Sequence, residues 1–507
     1  MAMAGSLAAC LVVGSSGWAA QSADAKFFAE RAKARSDQAQ LRAEAQADHI
    51  KRAENAAKVF GKIIEYAKQD RVAGQDAMLA HFLTAIGRLD TATADRLRGD
   101  LVALPPEPAS SPAPQVKKWE HFMEERRREL FKRLQRLLDA AVDAGLTDVA
   151  YEFLHEALTF DPDNPSLRAS ISQVQVDGEW YGPKSLPMAK AGLHWDRTLG
   201  WEMTKDAARY EAGEFYDLQT KSWTNLSKAN VAHASLAKPW VIQSEHLEVR
   251  GNAELTDLVK VTNDLEQFYA QIFAAYASFF TQNKADYRLI LGMVDHPRLV
   301  VNVFRDEEDY KKSLPVDAGW SAGMFISSTG QSYFYAGSTH VVYHEFTHQV
   351  LHMFTGKDSS PAWLCEGIAE YSESPTFEDG EMALGRISAS EDLKEYLIER
   401  DMKRAMSLDQ LMAITSGEKW SDAVEPEHQY NAACALVHYC MEAEARRYRS
   451  DFIAFLKDSY LGLTAGHKLW DYLGVTKDQF EHGFNGWVLS ALDDKTMEKK
   501  TAPKKTR

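Results

Sequence analysis

The amino-acid sequence predicts an α+β protein that is mostly helical. Three observations support this fold class: a proline-free segment rich in Ala, Glu, Lys, Arg and Gln over residues 24–101, short strand-like runs within residues 240–335, and helical patterns across most of residues 341–492. Apolar residues at helical spacing indicate amphipathic helices, whereas short runs of β-branched and aromatic residues indicate strands. We therefore expect an N-terminal helical region, then a small mixed sheet, and finally a helical C-terminal half.

The length and charge of the chain restrict its organisation and its partners. The 507 residues exceed the ~250–300 residues that a single hydrophobic core usually serves, so we expect at least two domains. The 58 Lys and Arg residues against 73 Asp and Glu residues give a formal net charge of −15. Because a net negative charge opposes binding to polyphosphates and anionic lipids, nucleic acid is excluded as the expected partner.

The first twenty residues have the pattern of an export signal. An apolar run from Leu7 to Val13 is followed by small residues and then by the polar Gln21, which is the order of a cleavable signal peptide. We assign residues 1–20 to this signal and expect export to the periplasm or the medium. Lipid attachment at Cys10 is the less favoured alternative, because the apolar run continues past that cysteine. Elsewhere the sequence offers no stretch of the ~20 apolar residues that a membrane span needs.

The cysteines do not describe a disulfide framework. Removal of the signal would leave the odd and sparse set Cys365, Cys434 and Cys440, whereas frameworks use even numbers at close spacing. Cys434 and Cys440 are six residues apart in one predicted helix, so they point to different faces. We expect buried structural thiols.

The N-terminal part of the chain divides at a proline-rich segment. Residues 21–103 are predicted to be helical, and residues 104–116 contain closely spaced prolines, which lack an amide donor and cannot continue a helix. We interpret this segment as a linker. Residues 117–235 then form a second helical region and a connection, in which residues 137–158 resemble one helical hairpin of the tetratricopeptide kind. A single hairpin is expected to pack on its own domain rather than to form a peptide-binding groove.

Residues 236–492 are predicted to form the C-terminal domain, and the basic residues 493–507 a flexible tail. A strand-like run opens this domain, and a helical pattern follows it from Leu255 to Phe280. The predicted strands are 240–249, Leu289–Val294, Leu299–Phe304, Gly323–Ile326 and Ser332–Tyr335. Nearly all of residues 341–492 is predicted to be helical.

The motif His344-Glu345-Phe346-Thr347-His348 is the clearest indication of a catalytic metal site in the sequence. On a helix, residues four positions apart lie on one face about one turn apart, so both imidazoles can bind one ion. Zinc held in this way keeps an open coordination position and lowers the pKa of its bound water to about 7. Glu345 can then act as the general base.

A second segment, Trp363–Tyr371, supplies carboxylates at Glu366 and Glu370, and seventeen residues separate Glu366 from His348. Two carboxylates at i and i+4 share one helix face. We expect Glu366 to be the third zinc ligand and Glu370 to orient a ligand histidine through a hydrogen bond.

Together, the two segments resemble the gluzincin metallopeptidases, in particular their aminopeptidase pattern, in which glutamate precedes glycine, and a group of poorly characterised exported bacterial gluzincin-like proteins. The resemblance covers roughly residues 240–492, and its most specific part is Tyr343–Tyr371. It implies a thermolysin-like domain with a small mixed sheet, a helical C-terminal half and zinc-dependent hydrolysis of peptide bonds. The separation before Glu366 is shorter than in the best-known gluzincins, so Glu370 remains the alternative ligand.

The resemblance also implies a side chain from a later helix that stabilises negative charge on the substrate carbonyl. Tyr430 lies at a suitable distance along the sequence, and His428 is its competitor. A tyrosine on the apolar face of a core helix is the alternative interpretation of Tyr430. Guided by the resemblance, we expect residues 323–326 and 332–336 to offer an edge strand along which an extended peptide could pair.

His340 and His352 continue the spacing of the two ligand histidines. Each lies a further turn along a rigid helix, so neither can easily join the same ion. The expected function is therefore an exported zinc metallopeptidase acting on a peptide or protein substrate. The alternatives are a non-catalytic binding or scaffold protein with at most a structural zinc, and a structural protein with accidental histidines. Glu345 favours the enzyme.

Overall fold

The computed structural model describes residues 7–144, 146–280, 296–315, 321–338, 340–356, 360–378, 381–386, 388–414, 420 and 427–493. Over these residues the protein is mostly helical with small sheets, which confirms the predicted class. It divides into two compact units, and the chain passes from the first to the second between Ile171 and Ser172. Among the described residues, no helix combines the length and the apolar character that crossing a membrane requires.

The first unit is helical, as predicted. Its helices are α1 (Leu7–Gln69), α2 (Gln75–Leu89), α3 (Thr91–Val102), α4 (Ala113–Asp143), α5 (Thr147–Phe160) and α6 (Pro165–Ser170). Helices α4 and α5 form the predicted hairpin. One hydrophobic core joins these helices, and it includes Phe60 of α1, Phe82 of α2, Trp119 of α4 and Phe153 of α5. The helices before and after the proline-rich segment therefore share a core.

The proline-rich segment is a docked part of this unit. Helix α4 already begins at Ala113, so the non-helical stretch is shorter than the predicted linker of residues 104–116. The Glu107 carboxylate accepts hydrogen bonds from the backbone amides of Gly74 and Asp76, the second at 2.6 Å. Gly74 precedes α2 and provides no side chain to cap it. Glu107 therefore satisfies amides at the start of α2 that the helix itself leaves unpaired.

The second unit begins with three short β-hairpins between residues 174 and 224. Its first elements are β1 (Val174–Val176), β2 (Glu179–Tyr181), α7 (Leu186–Lys190), β3 (Leu193–Asp196), β4 (Gly200–Met203), a 3₁₀ turn (Thr204–Asp206), α8 (Ala207–Glu211), β5 (Phe215–Asp217), β6 (Ser222–Thr224) and α9 (Leu226–His233).

These hairpins occupy the later part of residues 117–235, which were predicted to form a helical region and a connection. The Trp201 indole donates to the Gln243 carbonyl at 2.7 Å, and the Trp195 indole donates to the Asn263 side chain at 3.0 Å. Because these contacts tie the hairpins to residues further along the chain, the boundary lies before residue 172 rather than at the predicted residue 236.

A five-stranded mixed sheet follows, as predicted. The elements here are β7 (Trp240–Gln243), β8 (Leu247–Gly251), α10 (Leu255–Ala275), α11 (Ala277–Phe280), β9 (Leu299–Phe304), α12 (Glu307–Ser313), β10 (Gly323–Ile326) and β11 (Gln331–Tyr335). The strand order is β10-β11-β9-β8-β7, with β9 parallel to both β8 and β11. The run predicted as one strand over 240–249 is instead a hairpin, closed where the Ser244 amide donates to the Leu247 carbonyl at 3.0 Å. The predicted strand Leu289–Val294 lies outside the described residues.

The remainder of the second unit is largely helical. Its elements are α13 (His340–Thr355), α14 (Ala362–Ser372), β12 (Thr376–Glu378), β13 (Glu381–Ala383), α15 (Glu391–Asp401), α16 (Leu408–Met412), α17 (Glu427–Arg446), α18 (Arg449–Leu461), α19 (Leu469–Leu473) and α20 (Lys477–Asp493). Cys365, Cys434 and Cys440 are buried thiols outside any disulfide, which confirms the prediction for these cysteines. The basic tail after Asp493 lies outside the described residues.

The docked proline-rich segment leads to a stability prediction. Replacing Glu107 by Ala should lower the free energy of unfolding by about 0.5–2 kcal/mol, the usual cost of losing a helix N-cap. Hydrogen exchange of the Gly74 and Asp76 amides in the full chain should accelerate. Glu120→Ala, which removes an exposed carboxylate from α4, is the control. Unchanged exchange at both amides in Glu107→Ala would show that the segment is a passive linker.

Candidate metal centre

Helix α13 carries the predicted ligands His344 and His348 on the face that does not pack into the hydrophobic core. Phe346, Val350 and Leu351 are fully buried, and they hold the helix in the second unit. His344 and His348 lie one turn apart on the remaining surface, with ring centroids 5.0 Å apart. Their side chains retain 12% and 17% exposure. The hydrophobic anchoring therefore orients both imidazoles towards the same region.

Helix α14 places Glu366 against both imidazoles. The Glu366 Oε2 atom lies 3.3 Å from His344 Nε2 and 3.6 Å from His348 Nε2, and the two Nε2 atoms are 3.3 Å apart. Zinc with ligands at about 2.0–2.2 Å in a tetrahedral arrangement separates its ligand atoms by roughly 3.3–3.6 Å. The three predicted ligand residues thus present a donor set and donor spacing that fit zinc.

Two carboxylates contact the other nitrogen of His344. Glu373 Oε2 accepts a hydrogen bond from Nδ1 at 3.2 Å, and Glu370 Oε1 lies 3.3 Å from the same nitrogen. The structure brings Glu370 to the histidine that it was expected to orient. Glu373 was missed by the sequence analysis, although Glu366, Glu370 and Glu373 follow the i, i+4, i+7 pattern of one helix face. That pattern was the available signal.

The charges of these residues are strongly coupled. Burial lowers the pKa of His344, but the neighbouring carboxylates of Glu366, Glu370 and Glu373 outweigh it and raise that pKa well above its ordinary value. Burial raises the pKa of Glu366, but the nearby His348 and His344 outweigh it and lower that pKa. The pKa of Glu370 is raised well above its usual range, chiefly by burial. The cluster favours positive charge beside Glu366, where a proton and a metal cation would compete for the same imidazole nitrogens.

Glu345 lies between α13 and the edge of the sheet. Its Oε2 atom accepts a hydrogen bond from the Phe325 amide at 2.7 Å, and burial raises the pKa of its carboxyl group. Phe325 belongs to β10, which lies at one edge of the sheet among the described residues, whereas β11 lies inside the sheet. Of the two segments predicted to offer an edge strand, residues 323–326 lie at the edge and residues 331–335 pair with them from inside the sheet. Pairing with an extended peptide remains a prediction. A Cβ atom at Gly323 would lie 2.7 Å from a Val341 methyl, so glycine permits the close approach of this strand to α13.

Tyr430, on α17, lies beside His344. Its ring centroid is 6.5 Å from that of His344, and its ring packs edge-on against Trp420 at 5.1 Å. Burial raises the pKa of Tyr430 to about 12, so its hydroxyl stays protonated at neutral pH. His428 instead places Nδ1 2.7 Å from Glu399 Oε1.

Gly367 allows α14 and α17 to approach each other. A Cβ atom at this position would lie 2.8 Å from the Ala433 carbonyl oxygen and 3.0 Å from a Val437 methyl. The contact lies one residue after Glu366 on α14 and three residues after Tyr430 on α17. Close contact of the two helices is thus what brings the tyrosine near the carboxylate.

His340 and His352 do not join the cluster. Neither belongs to a potential metal-binding group within the part of the chain that the structure describes. His340 is exposed at the start of α13, and the His352 ring lies 5.3 Å from that of Phe325. Both therefore flank the centre, as the sequence predicts.

The helix contact at Gly367 can be tested by adding one methyl group. Gly367→Ala should lower the free energy of unfolding by about 1–3 kcal/mol, because the added carbon overlaps a backbone carbonyl that cannot rotate away. Gly486→Ala in α20 is the matched control, since its added methyl meets open space and alanine favours an exposed helix by up to about 1 kcal/mol. Thermal unfolding of the full chain compares the two. Equal stability of Gly367→Ala and the wild type would contradict the close contact.

The match to a known family falls on this centre. Residues 338–460 match the family described as Protein of unknown function (DUF1570), a stretch that includes His344, Glu366 and Tyr430 but less than half of the chain. Comparison with curated proteins and with solved structures yields no match. The chain is thus similar to this family over α13 to α18, where the potential ligands and the neighbouring tyrosine lie.

Proposed function

We propose that the protein is an exported zinc-dependent metallopeptidase that hydrolyses peptide bonds. The observation that carries the proposal is the convergence of His344 Nε2, His348 Nε2 and Glu366 Oε2 at separations of 3.3–3.6 Å, with Glu345 on the same helix. Two imidazoles and one carboxylate are the protein ligands of a large class of catalytic zinc sites, which keep a further position open. Export remains the expectation from residues 1–20.

His344, His348 and Glu366 would hold the zinc ion. When bound, zinc supplies Lewis-acid chemistry that polarises a carbonyl group and lowers the pKa of water. The Nδ1 atom of His344 is already engaged by carboxylates, which leaves Nε2 to face Glu366 and His348. This arrangement supports a metal role for Nε2, because neutral imidazole binds metals through the nitrogen that carries no proton.

Glu345 would move the proton during hydrolysis. The Phe325 amide holds one carboxylate oxygen, so the group keeps a fixed orientation and its second oxygen remains available. A carboxylate in this position can accept the proton of the attacking water and return it to the leaving amine. The same contact connects the base to β10, an edge strand among the described residues, along which an extended peptide backbone could pair. This edge supports the proposal of a peptide or protein substrate.

Tyr430 would donate its hydroxyl hydrogen to the oxygen that becomes negative during attack. Its position 6.5 Å from the His344 ring centroid and its persistently protonated hydroxyl support this role. A preorganised donor in a dehydrated site stabilises the transition state without reorganisation of solvent. Tyr430 and Glu345 would thus act on different atoms of the same peptide group.

A panel of four variants separates metal binding from chemistry. We expect about one zinc per purified wild-type chain by elemental mass spectrometry. His348→Ala and Glu366→Ala should lose this zinc, whereas the matched control His340→Ala, which removes an exposed histidine from the same helix, should retain it. Glu345→Gln should keep the zinc and the fold yet lower the cleavage of an internally quenched peptide library by roughly 10²–10⁴-fold, because it removes the general base.

Two results would overturn the proposed function. Wild-type protein without zinc, even after zinc supplementation, would remove the catalytic centre. Undiminished cleavage by Glu345→Gln would show that the hydrolysis arises elsewhere. Zinc retention without cleavage of any peptide would favour the binding or scaffold alternative, in which the ion only stabilises the fold.

Tyr430→Phe tests the proposed donor. Removing the hydroxyl should lower kcat by roughly 10²–10³-fold with little change in KM, because the interaction forms in the transition state. Tyr472→Phe is the control, since its hydroxyl donates to Asp458 instead. Steady-state kinetics and zinc content are measured for both variants. A Tyr430→Phe enzyme with unchanged kcat would assign Tyr430 to core packing, the alternative raised by its sequence context.

A further inference from the structure

The hydrogen bond of His344 Nδ1 goes to a residue outside the expected motif. Glu373 Oε2 accepts it at 3.2 Å, whereas Glu370, the carboxylate one turn after Glu366, lies 3.3 Å from the same nitrogen as an ion pair. One N–H group can direct its hydrogen along one axis, so two acceptors at similar distances do not share it equally. The contact with Glu373 has the geometry of a hydrogen bond, whereas the contact with Glu370 has only the proximity of an ion pair, so Glu373 is the favoured acceptor.

The end of α14 explains how Glu373 reaches the histidine. The helix ends at Ser372, and Glu373 follows with φ −71° and ψ −16°, a helical conformation. Its side chain therefore continues the face that carries Glu366 and Glu370, at the i+7 position. Three carboxylates of one helix surround one imidazole, with Glu366 at Nε2 and the other two at Nδ1.

Glu370 also has a hydrogen-bond partner other than His344. It forms a side-chain hydrogen bond with Asp392, in the first turn of α15. Its side chain is 9% exposed and that of Glu373 is 19% exposed. Glu370 thus joins α14 to α15 inside the protein. Glu373 lies nearer the surface.

We propose that Glu373 is a positioning residue, which holds the proton of His344 on Nδ1 and thereby directs the Nε2 lone pair towards Glu366 and His348. When a cation occupies Nε2, the imidazole keeps one ring proton, and a carboxylate at Nδ1 retains the proton there. The consequence for zinc affinity rests on the proposed function. The hydrogen bond between His344 and Glu373 does not rest on the proposed function, because both residues belong to this protein and the bond is present without metal.

The hydrogen bond can be observed without metal. In the metal-free full chain labelled with ¹⁵N-histidine, a hydrogen-bonded ring N–H exchanges slowly with water and should give a downfield proton signal. Because the raised pKa of His344 leaves both ring nitrogens protonated at neutral pH, its Nδ1–H signal is told apart from its Nε2–H signal by the couplings of each nitrogen to the ring carbon protons. Both signals are assigned to His344 by their loss in His344→Gln. We expect Glu373→Ala to lose the Nδ1–H signal, and Glu370→Ala to retain it. Glu391→Ala, which removes an exposed carboxylate from α15, should also retain it.

The effect on metal is measured on the same proteins by zinc competition with a chromogenic chelator. Glu373→Ala should bind zinc about 10–100-fold more weakly than the wild type, the usual cost of losing such a partner, whereas Glu391→Ala should match the wild type. Glu373→Gln keeps an acceptor oxygen and should restore part of both the signal and the affinity. Circular dichroism of each variant excludes unfolding as the cause.

The outcomes separate this inference from the proposed function. Persistence of the Nδ1 signal in Glu373→Ala, with its loss in Glu370→Ala, would overturn the assignment and make Glu370 the positioning residue. Loss of the signal with unchanged zinc affinity would also overturn the positioning role. A wild-type chain that binds no zinc would instead overturn the proposed function, and the Nδ1 signal would still decide whether Glu373 holds the ring.

Discussion

The candidate centre depends on the attraction between the imidazoles of α13 and the carboxylates of α14. Glu366, Glu370 and Glu373 all contact His344, and Glu366 also contacts His348. Carboxylates removed from water require compensating charge or hydrogen bonds. The imidazoles provide part of that compensation, and a divalent cation at the Nε2 atoms would supply more. The same charge balance accounts for the raised pKa of His344 and the lowered pKa of Glu366.

Close backbone packing makes this attraction geometrically possible. Gly367 lets α17 approach α14, and Gly323 lets the edge strand β10 approach α13. Glu345 and Tyr430 consequently lie near the same pair of histidines, although they come from different elements and have different partners. A larger side chain at either glycine would push apart elements whose spacing sets the distances between functional groups. Packing and proposed chemistry are therefore coupled at these two positions.

The domain organisation follows from similar long-range contacts. Local composition marks residues 104–116 as a linker because proline interrupts helices. The helices on either side nevertheless bury their apolar faces in one core, and Glu107 caps α2. In the same way, Trp195 and Trp201 attach the hairpins to later residues and thereby extend the second unit back to residue 172. A local pattern identifies an interruption in secondary structure, but burial decides which elements form one unit.

The sequence by itself determined the mostly helical class, the mixed sheet before the histidine helix and the identity of His344, Glu345, His348 and Glu366 as candidates. These features follow from local periodicity, since residues four apart on a helix must share a face. The tertiary structure alone decided that Glu373 accepts the Nδ1 hydrogen bond, that Tyr430 lies beside His344, and that β10 is the edge strand near Glu345 among the described residues. Those outcomes depend on how α13, α14, α17 and the sheet pack together, because distances between separate elements are set by burial and backbone contact rather than by spacing along the chain.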